Sequence, residues 1–330
     1  MRTFFLSVQS LVLALLAAWG AAALWFQAPG GPALRGAMAA LWALLALALI
    51  VRSWRHRGLQ PLLVFALLFG LLLLWWTSIE PKQDRHWASD VRRTLSGRVE
   101  GSMVHLKDVR NFDWRSRDDY GARWEDRSYD LDGLRSVDMA LSYWGIPAIA
   151  HVMMSFGFDN GRYLSFSVEI RREHGESFST VGGFFKQFEL SLVAAEERDV
   201  LGVRSNIRGE DVFLYRLQMP RESMRSLFIE YVDKANGLAR EPRWYNTVTA
   251  NCSTLVFEMV RRLTPGLPLD IRLLLAGLLP EYVYGLDALE PGYTLEQLRG
   301  GGRITLRAQQ AAAEADFSAA IRRGVPGAVP

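Results

Sequence analysis

Polar and apolar positions divide this chain sharply near residue 80. Before that point lie three long apolar stretches, roughly Phe4 to Phe26, Ala33 to Val51 and Leu59 to Ile79. Each is close to the roughly 20 residues that a helix needs to cross a bilayer. The one charge inside them is Arg35, at the edge of the second. Beyond residue 80 the apolar runs shorten and alternate. Gly101 to Leu106 is short and alternating, as in a strand. His151 to Phe158 and Arg162 to Ile170 are β-rich runs on either side of Asp159-Asn160-Gly161, which predicts a hairpin. Val212 to Leu217 predicts another strand.

Helical spacing returns after Pro220, with apolar residues at Met224, Leu227, Phe228 and Tyr231; proline is well placed to start such a helix. A second helix is expected from Cys252, with Leu255, Val256, Met259, Val260 and Leu263 on its period, ended by Thr264-Pro265-Gly266. The segment Leu273 to Leu279 reads as a core helix. After about Ala308 the chain is alanine-rich and ends in glycine and proline, which predicts a short helix and a frayed end. The division is therefore 1–80 for three transmembrane helices, 81–95 for a linker, 96–307 for an α+β domain with an antiparallel sheet packed on the cysteine-bearing helix, and 308–330 for a flexible tail.

The connectors predict an orientation. Gln27 to Pro32 is uncharged, whereas Arg52-Ser53-Trp54-Arg55-His56-Arg57 is strongly basic. Positive loops stay in the cytoplasm, and Arg2 places the N-terminus on the same side. The expected protein is thus multi-pass in a bacterial inner membrane, N-terminus inside and C-terminal domain in the periplasm. Trp75 and Trp76 suit the interfacial aromatic belt.

Composition adds two constraints. The formal net charge of +3 over 330 residues gives no case for a nucleic-acid partner, since the basic residues are interleaved with acids. Cys252 is the single cysteine. Exported proteins usually pair their cysteines or lack them, so an exported lone thiol is a candidate nucleophile, against the plainer reading of a packed small hydrophobe. At a helix N-terminus a thiol meets free N–H groups and the positive end of the dipole, which favour the reactive thiolate. Of five histidines, His151 opens an apolar strand and must find a partner. With a three-residue hairpin loop at Asp159 to Gly161, His151 faces Glu169; a two-residue loop would bring Ile170 there instead. Glu169 could equally pair with Arg171 or Arg172. One cysteine and scattered histidines lack metal-ligand spacing, and no cofactor is expected.

Several of these segments together resemble the periplasmic domain of the Lnb family, which is associated with bacterial lipoprotein N-acylation. They are Val109 to Phe112, Ala150-His151-Val152, Ser155 to Phe158, Val168 to Glu173 and Tyr245 to Thr254. The resemblance covers about residues 95 to 290. It implies a permuted papain-like thiol enzyme in which histidine precedes cysteine, with Cys252 as nucleophile, His151 as base and Glu169 as orienting acid. It also implies that Asn251, Tyr245 and Arg171 bind substrate or shape the site. In the named acyltransferases the domain precedes the membrane portion, whereas here it follows the spans, which leaves substrate and reaction open. The expected function is a membrane-anchored cysteine acyltransferase or hydrolase acting on membrane lipid or lipoprotein acyl groups through a Cys252 thioester. The alternatives are a cell-wall peptidase or amidase with the same machinery, and a non-catalytic envelope interaction module.

Overall fold

The computed structural model describes residues 2–55 and 59–328. The Arg2 side chain, and His56 and Arg57 of the basic connector, lie outside what is described. The chain forms two compact units. One comprises residues 1–82 with Phe178–Phe188, the other Gln83–Ser177 with Glu189–Pro330.

In the first unit, α1 (Arg2–Gln27), α2 (Pro32–Arg55) and α3 (Gln60–Thr77) follow the three apolar stretches. All three are long and apolar enough to cross a membrane. Their mutual contact is made by Ala17, Leu24, Trp42, Ala46, Phe65 and Leu72. Gly20 permits the close approach: a Cβ there would meet the Trp42 ring at 2.6 Å and Leu72 at 2.8 Å. The Trp42 indole donates to the Ala17 carbonyl at 2.9 Å, which satisfies a polar group where lipid offers no partner. Leu11, Leu15, Leu41, Leu44, Leu67 and Leu74 point outward. The unit is completed by α4 (Thr180–Phe184).

The second unit contains β1 (Ser96–Glu100), β2 (Met103–Arg110), β3 (Asp113–Trp114), β4 (Tyr120–Gly121), β5 (Trp124–Asp130), β6 (Leu134–Tyr143), β7 (Ala150–Phe158), β8 (Tyr163–Arg171), β9 (Glu189–Ala195) and β10 (Asp211–Arg216). Its helices are α5 (Glu197–Val200), a π-helical turn (Val203–Arg208), α6 (Arg221–Arg240), α7 (Cys252–Leu263), α8 (Leu279–Tyr284), α9 (Leu295–Gly302), α10 (Thr305–Gln310) and α11 (Phe317–Arg322). The main sheet runs β1-β2-β9-β8-β7-β6-β10, with β5 also on β2 and β3 paired with β4 apart from it. Its ladders are antiparallel except the short parallel contact of β2 with β9 at Arg110 and Ala195. The fold is therefore mixed α+β, as expected.

The sheet is covered on both faces, which is why β7 and β9 read as continuous apolar runs rather than alternating ones. On one face Phe156 and Phe166 meet Phe228 and Tyr231 of α6. On the other, Met153, Val193 and Leu214 pack with Ile304, Ala308, Phe317 and Ile321 from α10, α11 and their approaches.

That second layer corrects the expected flexible tail. Arg322 is fully buried and bridges Asp138 on β6 and Glu197 on α5, each at 2.7 Å, with Tyr163 beneath it. The end of the chain adds Phe317, Ala320, Ile321 and Val325 to the core and brings a cation that two buried carboxylates share. The expected linker is likewise packed: Trp87, Val91 and Leu95 are buried. The expected single helix at Leu273–Leu279 is broken into the 3-10 turns Ile271–Leu273 and Ala276–Leu278 before α8 begins. A continuous apolar run has no helical period to hold it in one helix against two surfaces.

Candidate active site

The α7 N-terminus is built by its own sequence. The Asn251 side-chain oxygen accepts from the Ser253 and Thr254 backbone N–H groups at 3.0 and 2.9 Å. The Thr254 hydroxyl accepts from the Asn251 N–H at 2.9 Å. This reciprocal capping box satisfies free donors at the helix start. Asn251 Nδ2 also donates to the Thr247 carbonyl at 2.8 Å, and Asn246 and Ala250 exchange two backbone hydrogen bonds at 3.0 Å. Residues 246–254 thus form a closed frame that holds Cys252, partly exposed, at the first helical position.

The histidine comes from β7. The β7–β8 ladder pairs Met153 with Ser167 through Gly157 with Tyr163, and the Phe158 N–H donates to the Arg162 carbonyl at 2.9 Å. The loop is the three-residue one, and the same register carried two residues back sets His151 opposite Glu169. His151 Nε2 lies 2.7 Å from Ser167 Oγ and 3.2 Å from Glu169 Oε1. Ser167 Oγ donates to that same carboxylate oxygen at 2.7 Å. With Nε2 so committed, Nδ1 is the nitrogen left for the Cys252 thiol, whose pKa His151 lowers.

Sequence reasoning missed two members of this cluster. Ser167 stands two residues before Glu169 on the same face of β8, so the period of a strand could have found it. Arg204 could not have been found that way. It comes from the π-helical turn, a geometry with no pattern of its own and one that recurs at functional sites. Arg204 is buried and forks between Glu169 at 3.1 Å and Glu210 at 3.0 Å. Glu210 in turn accepts from Ser142 at 2.5 Å, and Ser142 is the β6 residue paired with His151.

The electrostatics favour an ion pair. Burial presses the Cys252 thiol up, but the His151 charge and hydrogen bond, with the Val152 N–H, outweigh it and bring its pKa below the usual thiol value. Burial and Arg204 press His151 towards neutrality; Glu169 and Cys252 outweigh them and raise it. Burial also opposes ionisation of Glu169, yet His151, Arg204 and the Ser167 hydroxyl hold it well below the usual carboxylate range. A lowered thiol beside a raised imidazole shifts the balance towards the reactive thiolate.

The remaining expected residues separate. Tyr245 is buried near the thiol; burial first, then the charges of Cys252 and Glu169, raise its phenol pKa. Asn251 caps the helix. Arg171 does not join the site. It donates to the Val91 and Arg92 carbonyls at 3.2 and 2.7 Å, to Gln83, and lies over Trp87. Its place on β8 carries it towards the segment before β1, whose carbonyls need donors. Arg172 pairs with Asp90 at 2.9 Å, so neither arginine is the partner of Glu169. Among the described residues no group of three or more His, Cys, Asp or Glu side chains is placed to hold a metal.

Beside α7 runs an open groove of about 780 Å³, lined among others by Thr254, Phe257, Arg261, Leu269, Ile271 and Leu274. It starts within a turn of Cys252, and Leu269, Ile271 and Leu274 are exposed in it.

No curated protein and no solved structure matches the chain. Residues 120–277 match the family described as the Lnb N-terminal periplasmic domain. That match takes in His151, Ser167, Glu169, Arg204, Tyr245 and Cys252, and so the whole cluster described above. The matched segment follows three helices that are long and apolar enough to cross a membrane, and it is similar to an Lnb N-terminal periplasmic domain.

Proposed function

We propose that this protein is a thiol acyltransferase or hydrolase that works on membrane lipid or lipoprotein acyl groups, in a permuted papain-like arrangement. The observation that carries the reading is the His151–Glu169 pair at 3.2 Å, with Cys252 at a capped helix N-terminus and its thiol pKa lowered by His151. The Cys252 thiolate attacks an ester carbonyl. The His151 imidazolium gives its proton to the departing alkoxide as the C–O bond breaks, leaving a thioester. The now neutral His151 takes a proton from an incoming amine or water, which attacks the thioester and releases the thiolate. Glu169 keeps the imidazole oriented and stabilises its charged form.

The groove supports an acyl substrate: Phe257, Leu269, Ile271, Leu273 and Leu274 in its lining suit an apolar chain, beside the polar Thr254, Glu258, Arg261, Arg262 and Asp270. A membrane anchor keeps such a site near acyl donors. In this reading the domain faces the periplasm and the N-terminus the cytoplasm.

The test is intact and peptide mass analysis of the full chain incubated with phospholipid in bilayer discs. An acyl mass on the Cys252 peptide, absent from Cys252→Ser, is expected. A protein that labels with thiol-reactive acyl probes but acquires no acyl group from lipid or lipoprotein, and instead cleaves murein peptides, would favour the peptidase.

A further inference from the structure

The segment Phe178–Phe188 leaves the sheet between β8 and β9 and belongs to the helical unit. Its ties there are specific. Gln27, the last residue of α1, donates through Nε2 to the Phe185 and Lys186 carbonyls at 2.9 and 2.7 Å. Lys186 Nζ donates to the Trp76 and Ile79 carbonyls at the end of α3, at 2.7 and 3.1 Å, and lies 4.8 Å from the Trp76 ring centroid. A cation is well placed at a helix C-terminus. Lys186 holds a left-handed backbone, φ 55°, a strained state for a non-glycine residue that persists where surrounding contacts impose it.

These contacts also set the depth. The Phe185 ring stacks on Phe26 at 5.6 Å and reaches Trp76 at 6.1 Å and Trp19 at 6.2 Å. Trp19 lies eight residues before the end of α1, about 12 Å back along the helix. Phe185 therefore sits beside the last turns of α1 and α3, at the level of the tryptophans near the ends of the spans.

Two further features suit that depth. The carbonyls of Ser179, Gly182, Phe185 and Lys186 all accept hydrogen bonds, and the Gly182 N–H is taken by the Ser179 hydroxyl. Non-helical backbone is tolerated at membrane depth only when its polar groups are satisfied. The outward side chains are apolar: Phe178, Val181 and Phe184 are 49%, 55% and 44% exposed. Left in water, such a cluster beside the helix ends would be a standing cost.

The geometry points to Phe178–Phe188 as a membrane-seated segment, with Phe178, Val181 and Phe184 in contact with the acyl chains of the adjoining leaflet. Its partner is the lipid surface itself. The inference stands whether or not Cys252 is a nucleophile.

The experiment places a single environment-sensitive fluorophore on the full chain, in a Cys252→Ser background, at Val181→Cys and separately at Phe184→Cys. Both residues are exposed, so folding does not depend on them. Leu71→Cys, outward on α3, and Asp118→Cys, in an exposed loop, serve as lipid and water references. In bilayer discs, the labels at 181 and 184 are expected to lose fluorescence to chain-nitroxide phospholipid as the label at 71 does, and to resist iodide. Quenching by iodide as at 118, with no response to nitroxide lipid, would overturn the proposal. Protection from both quenchers would overturn it too, since a protein surface would then cover the segment.

Discussion

His151 Nε2 and Glu169 Oε1 face each other at 3.2 Å across adjacent antiparallel strands. The pair exists because the hairpin between them has three residues rather than two. Ser167 sits 2.7 Å from the same nitrogen and bonds the same carboxylate, so the imidazole is held by two groups from one strand. Arg204 approaches the carboxylate from another element and limits how much negative charge His151 feels.

The first prediction concerns the thiol. Its lowered pKa and the raised pKa of His151 predict that Cys252 is alkylated by iodoacetamide below the ordinary thiol range, which centres near pH 8.5. The thiolate fraction grows as pH rises through the Cys252 pKa, so a lowered value brings reactivity to more acid pH. In His151→Ala the rate–pH midpoint should move upward, because burial remains and the compensating cation is gone. Stopped-time mass spectrometry reads both curves, and coincident midpoints would remove His151 from the site. Acyl transfer should fall about 10²- to 10⁴-fold in the same variant, the usual worth of a general base.

Glu169 and Arg204 should act on the histidine in opposite directions. Glu169 raises the His151 pKa and Arg204 lowers it. Activity that needs the imidazolium is lost as pH rises through that pKa. Glu169→Gln should therefore shift the alkaline limb of the pH profile down, and Arg204→Met should shift it up. A turnover loss of up to about 10⁴-fold is expected for Glu169→Gln, the size seen when the carboxylate behind a catalytic histidine becomes an amide. Limbs that move the same way, or not at all, would mean that the two residues serve only packing.

A third prediction tests the buried end of the chain. Arg322→Met leaves Asp138 with Arg216 alone, at 2.6 Å, and Glu197 without its cation. Removing one partner of a buried ion pair costs about 3–5 kcal/mol. For a domain of this size that is a fall in Tm on the order of 10 °C. Thermal melts of the purified variant in detergent check it. An unchanged Tm would return the segment after 308 to the status of a loose tail.

Topology gives the fourth. Reporter fusions after residue 90 should behave as periplasmic and fusions after residue 54 as cytoplasmic, from the basic residues Arg52 and Arg55 at the end of α2. A cytoplasmic reporter after residue 90 would undo the reasoning from an exported lone thiol.

Local pattern was enough for much of this protein. The three apolar stretches became α1 to α3 because their length and lack of charge leave a helix in lipid as the simplest way to satisfy the backbone. The helix at Cys252 was legible from its apolar period, whereas the capping role of Asn251 came only from the structure. The hairpin's strands were legible from β-rich runs around an Asp-Asn-Gly turn, but its register was not, since a one-residue change in loop length moves every partner. Only tertiary structure decided that register, and with it whether Glu169 or Ile170 faces His151. It alone brought Arg204 from a turn without periodicity to Glu169, and sent Arg171 to the Val91 and Arg92 carbonyls instead. It also made a polar, alanine-rich terminus into core, because Arg322 answers two carboxylates more than 120 residues away in sequence. Charges buried at long range follow the partners that folding supplies, and no spacing along the chain records them.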